Sequence, residues 1–228
     1  MDRKGKEWDQ SFICDSADWI TAYSGGCVVD SIRPTFVLDG NDKKVLRSAL
    51  HIWAALYRSP DTDPGRGTQK NIPGRIDRAN PGCERVNGVI GRCLHRTRNK
   101  AVIGKNRGVA IPACRVVKPG YKSPDSCDEY PFASTVEGAS NSTYDYSVEL
   151  IPVKDNCSSG SRLGAWYQRH RIRELSPFWV DVIVQGATRP SSGLPGIVVT
   201  NPFPDEVLDY ATCTVDGIED NIPGPVVP

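Results

Sequence analysis

One stretch of the chain repeats its apolar residues at helical spacing. Val45, Leu46, Ala49, Leu50, Trp53, Leu56 and Tyr57 fall three and four residues apart, with Lys43, Lys44, Arg47 and Arg58 largely off that stripe. The period predicts an amphipathic helix over 42–58. The turn Asp39-Gly40-Asn41-Asp42 before it offers an N-cap. His51 sits inside this helix with no partner in view and reads as structural rather than as a ligand. Three segments carry strand patterns: 33–38, which starts at a proline, 146–153, where Val148 and Leu150 alternate with polar neighbours, and 178–184. Between the last two, 155–160 is a polar loop, and Leu163, Trp166, Tyr167 and Ile172 mark a second helix. Residues 59–83 are rich in Pro, Gly, Asp and Arg and show no period, so they read as a long loop of the kind often used for function.

The ends differ from this middle. Residues 1–29 have weak pattern and read as an N-terminal extension. Residues 186–228 read as an acidic, Pro/Gly-rich C-terminal tail with Cys213 as its tether. The domain proper is expected over 30–185. No apolar run reaches the length a membrane-spanning helix needs, and no signal peptide is visible at the N-terminus.

Composition first hides, then reveals, a partner. In 228 residues, 28 Lys and Arg stand against 27 Asp and Glu, a net charge of +1. That sum alone argues against a strongly basic nucleic-acid binder. Its distribution argues the reverse. Residues 84–122 hold ten cations and a single acid, Glu84. Such a segment suits a polyanion.

Cysteine use points to the compartment. There are 8, at wide, irregular spacings without the paired CxxC or CxxH pattern of a zinc site. Disulfides, and therefore an exported protein, are expected.

Chemistry concentrates at Asp128 and Glu129, adjacent carboxylates just after the basic segment, and at Asp155-Asn156, where a strand hands over to a helix. A carboxylate and an amide oxygen are hard ligands suited to Mg²⁺ or Mn²⁺. A second carboxylate beside the ion can take a proton from water. Together with a cationic surface, these parts suit phosphodiester hydrolysis.

The run Cys127-Asp128-Glu129-Tyr130-Pro131-Phe132-Ala133-Ser134-Thr135, followed by Asp155-Asn156 and by Gly160-Ser161 and Gly164, resembles the deoxyribonuclease NucA/NucB family of secreted bacterial DNases. The resemblance implies an α+β fold: a small mixed sheet with packed helices around a ββα-metal-type motif, stapled by disulfides and carrying long loops. It implies a secreted, divalent-metal-dependent, largely sequence-nonspecific deoxyribonuclease, acting on DNA with Mg²⁺ or Mn²⁺. An inhibitor or immunity protein would be its possible second partner, if the chain is the toxin part of a larger exported protein. Carried onto this sequence, Glu129 becomes the base, Asp128 a metal ligand or its outer support, with the two roles exchangeable, and Asn156 the helix-borne metal ligand. Asp155 reads as a cap for its helix. Arg96, Arg98, Lys105, Arg107 and Arg162 are candidate DNA contacts. Cys114 with Cys127 is the preferred disulfide, and Cys93 with Cys157 the second. The alternative of a different class is an exported module that binds DNA or another polyanion without turnover.

Overall fold

The computed structural model describes residues 11–17, 19–20, 25–76, 83, 92–122, 124–141 and 145–184, and the backbone of 214–215 and 218–219. The chain opens with β1 (Phe12–Asp15) and β2 (Gly26–Val29), an antiparallel pair stapled by the Cys14–Cys27 disulfide. Then come β3 (Thr35–Asp39), α1 (Leu46–Tyr57), β4 (Leu94–His95) and α2 (Lys100–Val117). The hairpin β5 (Asp125–Tyr130) and β6 (Ser147–Pro152) runs directly into α3 (Val153–Arg169) and then β7 (Pro177–Ile183). Two short strands, β8 (Thr214–Val215) and β9 (Ile218–Glu219), pair within the tail, and the expected Cys213 tether lies outside the described residues.

The fold is α+β, and its main sheet is mixed. β7 is central, parallel to β3 on one side and antiparallel to β4 on the other. Phe36, Leu38, Leu94, Phe178, Val180 and Val182 turn one face of this sheet onto α1 and α3, where Ala49, Ile52, Leu56, Leu163 and Tyr167 complete the core. The hairpin is covered on both faces. α1 and α3 lie on one side, and α2 lies on the other through Ala110, Cys114, Tyr121, Val148 and partly buried Cys127 and Leu150.

Several element bounds depart from the sequence reading. α1 starts later than 42, because Asp42 turns its carboxylate to the Lys44 N–H and to Arg162 instead of capping the helix. α3 starts earlier than the polar loop implied, at Val153 directly after Pro152. Asp155 therefore lies in its first turn, and its Oδ2 accepts the Arg47 N–H at 3.0 Å. It caps the first turn of α1, which has no side-chain cap of its own. The apolar pattern does not reveal α2. Asn99 caps that helix by accepting the Ala101 N–H, and Ile103, Asn106, Ala110 and Cys114 form its buried stripe.

The disulfides correct one pairing and bear out another. Cys114–Cys127 forms and ties α2 to β5. Cys93 does not pair with Cys157. It takes Cys83, 10 residues upstream, beside the edge strand β4, while Cys157 is disulfide-bonded elsewhere. Two residues of the expected N-terminal extension are engaged: Arg171 donates to the Asp15 carboxylate at 2.6 Å, and Arg96 stacks on Trp19. Among the described residues no helix is long and apolar enough to cross a membrane.

Candidate active site

β5 alternates in burial, residue by residue, from Asp125 to Tyr130. Side chains of a strand point to opposite faces in turn, so Ser126, Asp128 and Tyr130 face α1 and α3, while Cys127 and Glu129 face α2. The pairings agree. Cys127 is bonded to Cys114 of α2. Asp128 is 8% exposed and meets His51 of α1. The two adjacent carboxylates thus sit on opposite faces of one hairpin.

On the Asp128 face, polar groups from three elements converge. His51 is 1% exposed, and both its ring nitrogens are engaged. Nδ1 lies 2.8 Å from Asp128 Oδ2, and Nε2 lies 2.8 Å from Ser147 Oγ. A carboxylate only accepts, so Nδ1 carries the proton and donates to Asp128. In the neutral ring Nε2 then accepts from the Ser147 hydroxyl. Asp128 registers against Glu149, and directly opposed residues share a face. Glu149 Oε1 pairs with Arg47 Nη2 at 2.5 Å. From α3, the Asn156 amide donates to Ser126 Oγ at 3.1 Å and to the Cys127 carbonyl at 3.0 Å. That fixes the flip of the amide and leaves Oδ1 as its acceptor end.

The other face is different in kind. Glu129 registers against Val148 and lies near α2. There its negative charge adds to burial, the larger cause, in raising the pKa of the Tyr121 phenol, against the lowering effect of Arg115.

The candidate phosphate contacts scatter. Arg96 is fully buried, held between the rings of Trp19 and Tyr167 at 4.3 and 4.2 Å, and donates to the Ile172 carbonyl at 2.6 Å. It is a core residue with no surface to offer. Arg98 stacks on Trp19 at 4.6 Å. Arg162 is paired with Asp42. Lys105 and Arg107 lie on α2, the layer on the far side of the hairpin from Asp128. Arg47 and Arg66 instead reach Glu149, the residue registered against Asp128. Arg66 pairs with Asp63 at 2.8 Å and feels the charge of Glu149.

His51 is the residue that the sequence reading undervalued. Its signal was present: Ser48, His51 and Ala55 recur at helical spacing beside the apolar stripe, and all three are buried. Two polar residues on a buried stripe require partners.

A divalent ion fits this donor set only in one way. Among the described residues no three His, Cys, Asp or Glu side chains are grouped to hold a metal, so a closed all-protein cage does not fit. Asp128, and the Oδ1 of the Asn156 amide that is hydrogen-bonded to the Cys127 carbonyl, are hard oxygens in the small number that suits Mg²⁺, which keeps waters and shares substrate phosphate.

Comparison with protein families matches residues 82–180 to Deoxyribonuclease NucA/NucB, as the motif led one to expect. Comparison with curated proteins and with solved structures finds no match.

Proposed function

We propose, from the match of residues 82–180 to the NucA/NucB deoxyribonuclease family, that this protein hydrolyses DNA phosphodiesters at the Asp128 face of the β5–β6 hairpin, using a divalent metal, Mg²⁺ or Mn²⁺. The observation that carries the reading is the buried His51–Asp128 pair at 2.8 Å, beside an Asn156 amide pinned to the same strand. Asp128 is the base. Its Oδ2 accepts from His51, which fixes the carboxylate and leaves Oδ1 to take a proton from water. Asn156 would hold the ion through Oδ1. When bound, the ion neutralises charge developing on the phosphoryl oxygens. This moves the role of base from Glu129, where it was first expected, to Asp128. Glu129, on the α2 face, supports the fold and has no part in the chemistry. His51 is a positioning residue. The disulfides support an oxidising, exported setting, and affinity for DNA should fall with added salt.

Plasmid degradation by the full chain, with Mg²⁺ or Mn²⁺ and with chelator, is the test. Asp128→Asn and Asn156→Ala should each remove nearly all cleavage, while Glu129→Gln should keep most of it. If the intact protein leaves plasmid whole under every metal, the enzyme reading fails. A binding module without turnover predicts salt-sensitive retention of DNA with no cleavage in the same assay.

A further inference from the structure

Ser147, the first residue of β6, is 0% exposed. Its hydroxyl gives its proton to His51 Nε2, and His51 Nδ1–H gives its own to Asp128 Oδ2, with 2.8 Å at each step. Hydroxyl to imidazole to carboxylate is the order by which a hydrolytic triad activates serine. In that arrangement the serine meets substrate and the carboxylate is buried. Here exposure runs the other way, from 0% at Ser147 through 1% at His51 to 8% at Asp128. Ser147 is therefore no nucleophile, and the end of the chain nearest solvent is the carboxylate.

The place of Ser147 is fixed from both sides by the 59–76 loop. Lys70 Nζ donates to the Tyr146 carbonyl at 3.4 Å, and the Val148 N–H donates to the Asp63 carbonyl at 2.8 Å. Ser147 registers against Tyr130, the next same-face position after Asp128 on β5. Its side chain thus falls on the Asp128 face of the hairpin. The second anchor matters to the ring. The outer torsion of a histidine is broad, so an imidazole held at one nitrogen can still pivot. Held at both, His51 keeps one orientation, and Asp128 Oδ2 receives its hydrogen bond from one direction.

We propose that Ser147 is a positioning residue for the base: through His51 it holds Asp128 Oδ2 in place and leaves Oδ1 turned to the attacking water. The use of that hold rests on the nuclease reading above, whereas the hold itself does not.

Two measurements on the full chain test it. Nitrogen NMR of labelled histidine rings in the metal-free protein should find His51 protonated at Nδ1, with the Nε2 signal displaced by the hydrogen bond it accepts. Ser147→Ala should abolish that displacement. A His51 ring protonated at Nε2, or a signal unmoved by Ser147→Ala, overturns the hold. In cleavage of a DNA duplex with Mg²⁺, Ser147→Ala should lower kcat about tenfold, as loss of one hydrogen bond does, with KM within about twofold. In a His51→Ala background the same change should leave kcat within about twofold. Ser147→Thr, where its Tm shows a folded protein, restores the hydroxyl and should recover kcat. If Ser147→Ala does not fold, Ser147→Cys, close in shape but a weak donor, gives the same reading. Full kcat in a folded variant that lacks the hydroxyl, or equal losses with and without His51, overturns the positioning role. The expected His51 signals in a chain that cleaves no DNA would sink the nuclease reading and leave the hold standing.

Discussion

The two faces of the β5–β6 hairpin are built on different principles from the same few residues. Towards α1 and α3 the strand presents Ser126 and Asp128, which meet polar partners there: Asn156 on Ser126, His51 on Asp128. Towards α2 it presents Cys127, with a disulfide and apolar neighbours around it, and Glu129. One face is an arrangement of hydrogen bonds and charges that fixes geometry. The other is a staple and a small hydrophobic cluster that fixes position. Adjacent residues of like chemistry, Asp128 and Glu129, therefore have unlike work. A buried carboxylate held by a partner is weak evidence for stability, so the His51–Asp128 contact is better explained by what it holds in place than by what it adds to folding.

The comparison can be broken most sharply at the two carboxylates. Asp128→Asn should lower the rate of plasmid cleavage by about 10³-fold, within the range of lost acid–base catalysis. Glu129→Gln should stay within about threefold. Equal losses in the two variants, in a quantitative cleavage assay, would abolish the distinction between the faces. Next is His51→Ala, which strips Asp128 of its partner and leaves a buried charge. It should cost about 3 kcal/mol in urea unfolding, and cleavage should fall even where the protein remains folded. Third is the other face. The Cys114–Cys127 staple joins residues 13 apart in the chain. Removing it by the double Cys→Ala substitution should cost about 3 kcal/mol of stability. Per folded molecule, cleavage should hardly change. Loss of activity without loss of stability there would show that α2 does more than support.

The smallest effect concerns the edge that neither face owns. Lys70 clips the 59–76 loop to the start of β6, and burial pulls its ammonium down to about 8 from an ordinary 10.5. Below pH 8 both folded and unfolded chains hold the proton, and the full cost of burying it is present. Between pH 8 and 10.5 the unfolded chain binds more of the proton, so Lys70's contribution makes stability rise with pH. Chemical unfolding between about pH 7.5 and 9.5 should show that upward slope in the intact protein and lose it in Lys70→Met. The range stops there because Tyr130 and Tyr146, whose phenols burial raises, begin to oppose it as the unfolded chain ionises.

What could be read from the sequence followed from where a period survives. α1 and β3 each bury one face against the apolar core, Val148 and Leu150 of β6 alternate onto the side of α2, and β7 is an unbroken buried run, so a stripe, an alternation or a run is visible in order. The pattern misses α2 because Gly104, Gly108 and Pro112 lower its helical signal and polar Asn106 interrupts its buried stripe. Asn106 is satisfied from outside the helix, by the Ala133 and Thr135 carbonyls and by Ser140. It misses β5 for the same reason in another form: the inward residues of that strand are polar because their partners are polar. The motif named Asp128 and Asn156 as site residues but not the faces they occupy. His51 and Asp128 are 77 residues apart, and no local pattern reports a contact of that range. The basic segment was legible as charge, yet Arg96 went to the core, where its guanidinium stacks between two rings.

The parallel pairing of β3 with β7 sets an order of assembly. Thr35 pairs with Trp179 and Asp39 with Ile183, so the central sheet joins two segments separated by most of the domain. Such distant pairing is slow, because the chain between must be closed before the contact rewards it. α1, which brings Arg47 and His51 to the hairpin, is packed between that sheet and the site. A chain emerging from its N-terminus holds those residues long before it holds β7. The core that seats α1 is complete only when β7 arrives, so the polar site gains its fixed geometry late, with the domain nearly whole.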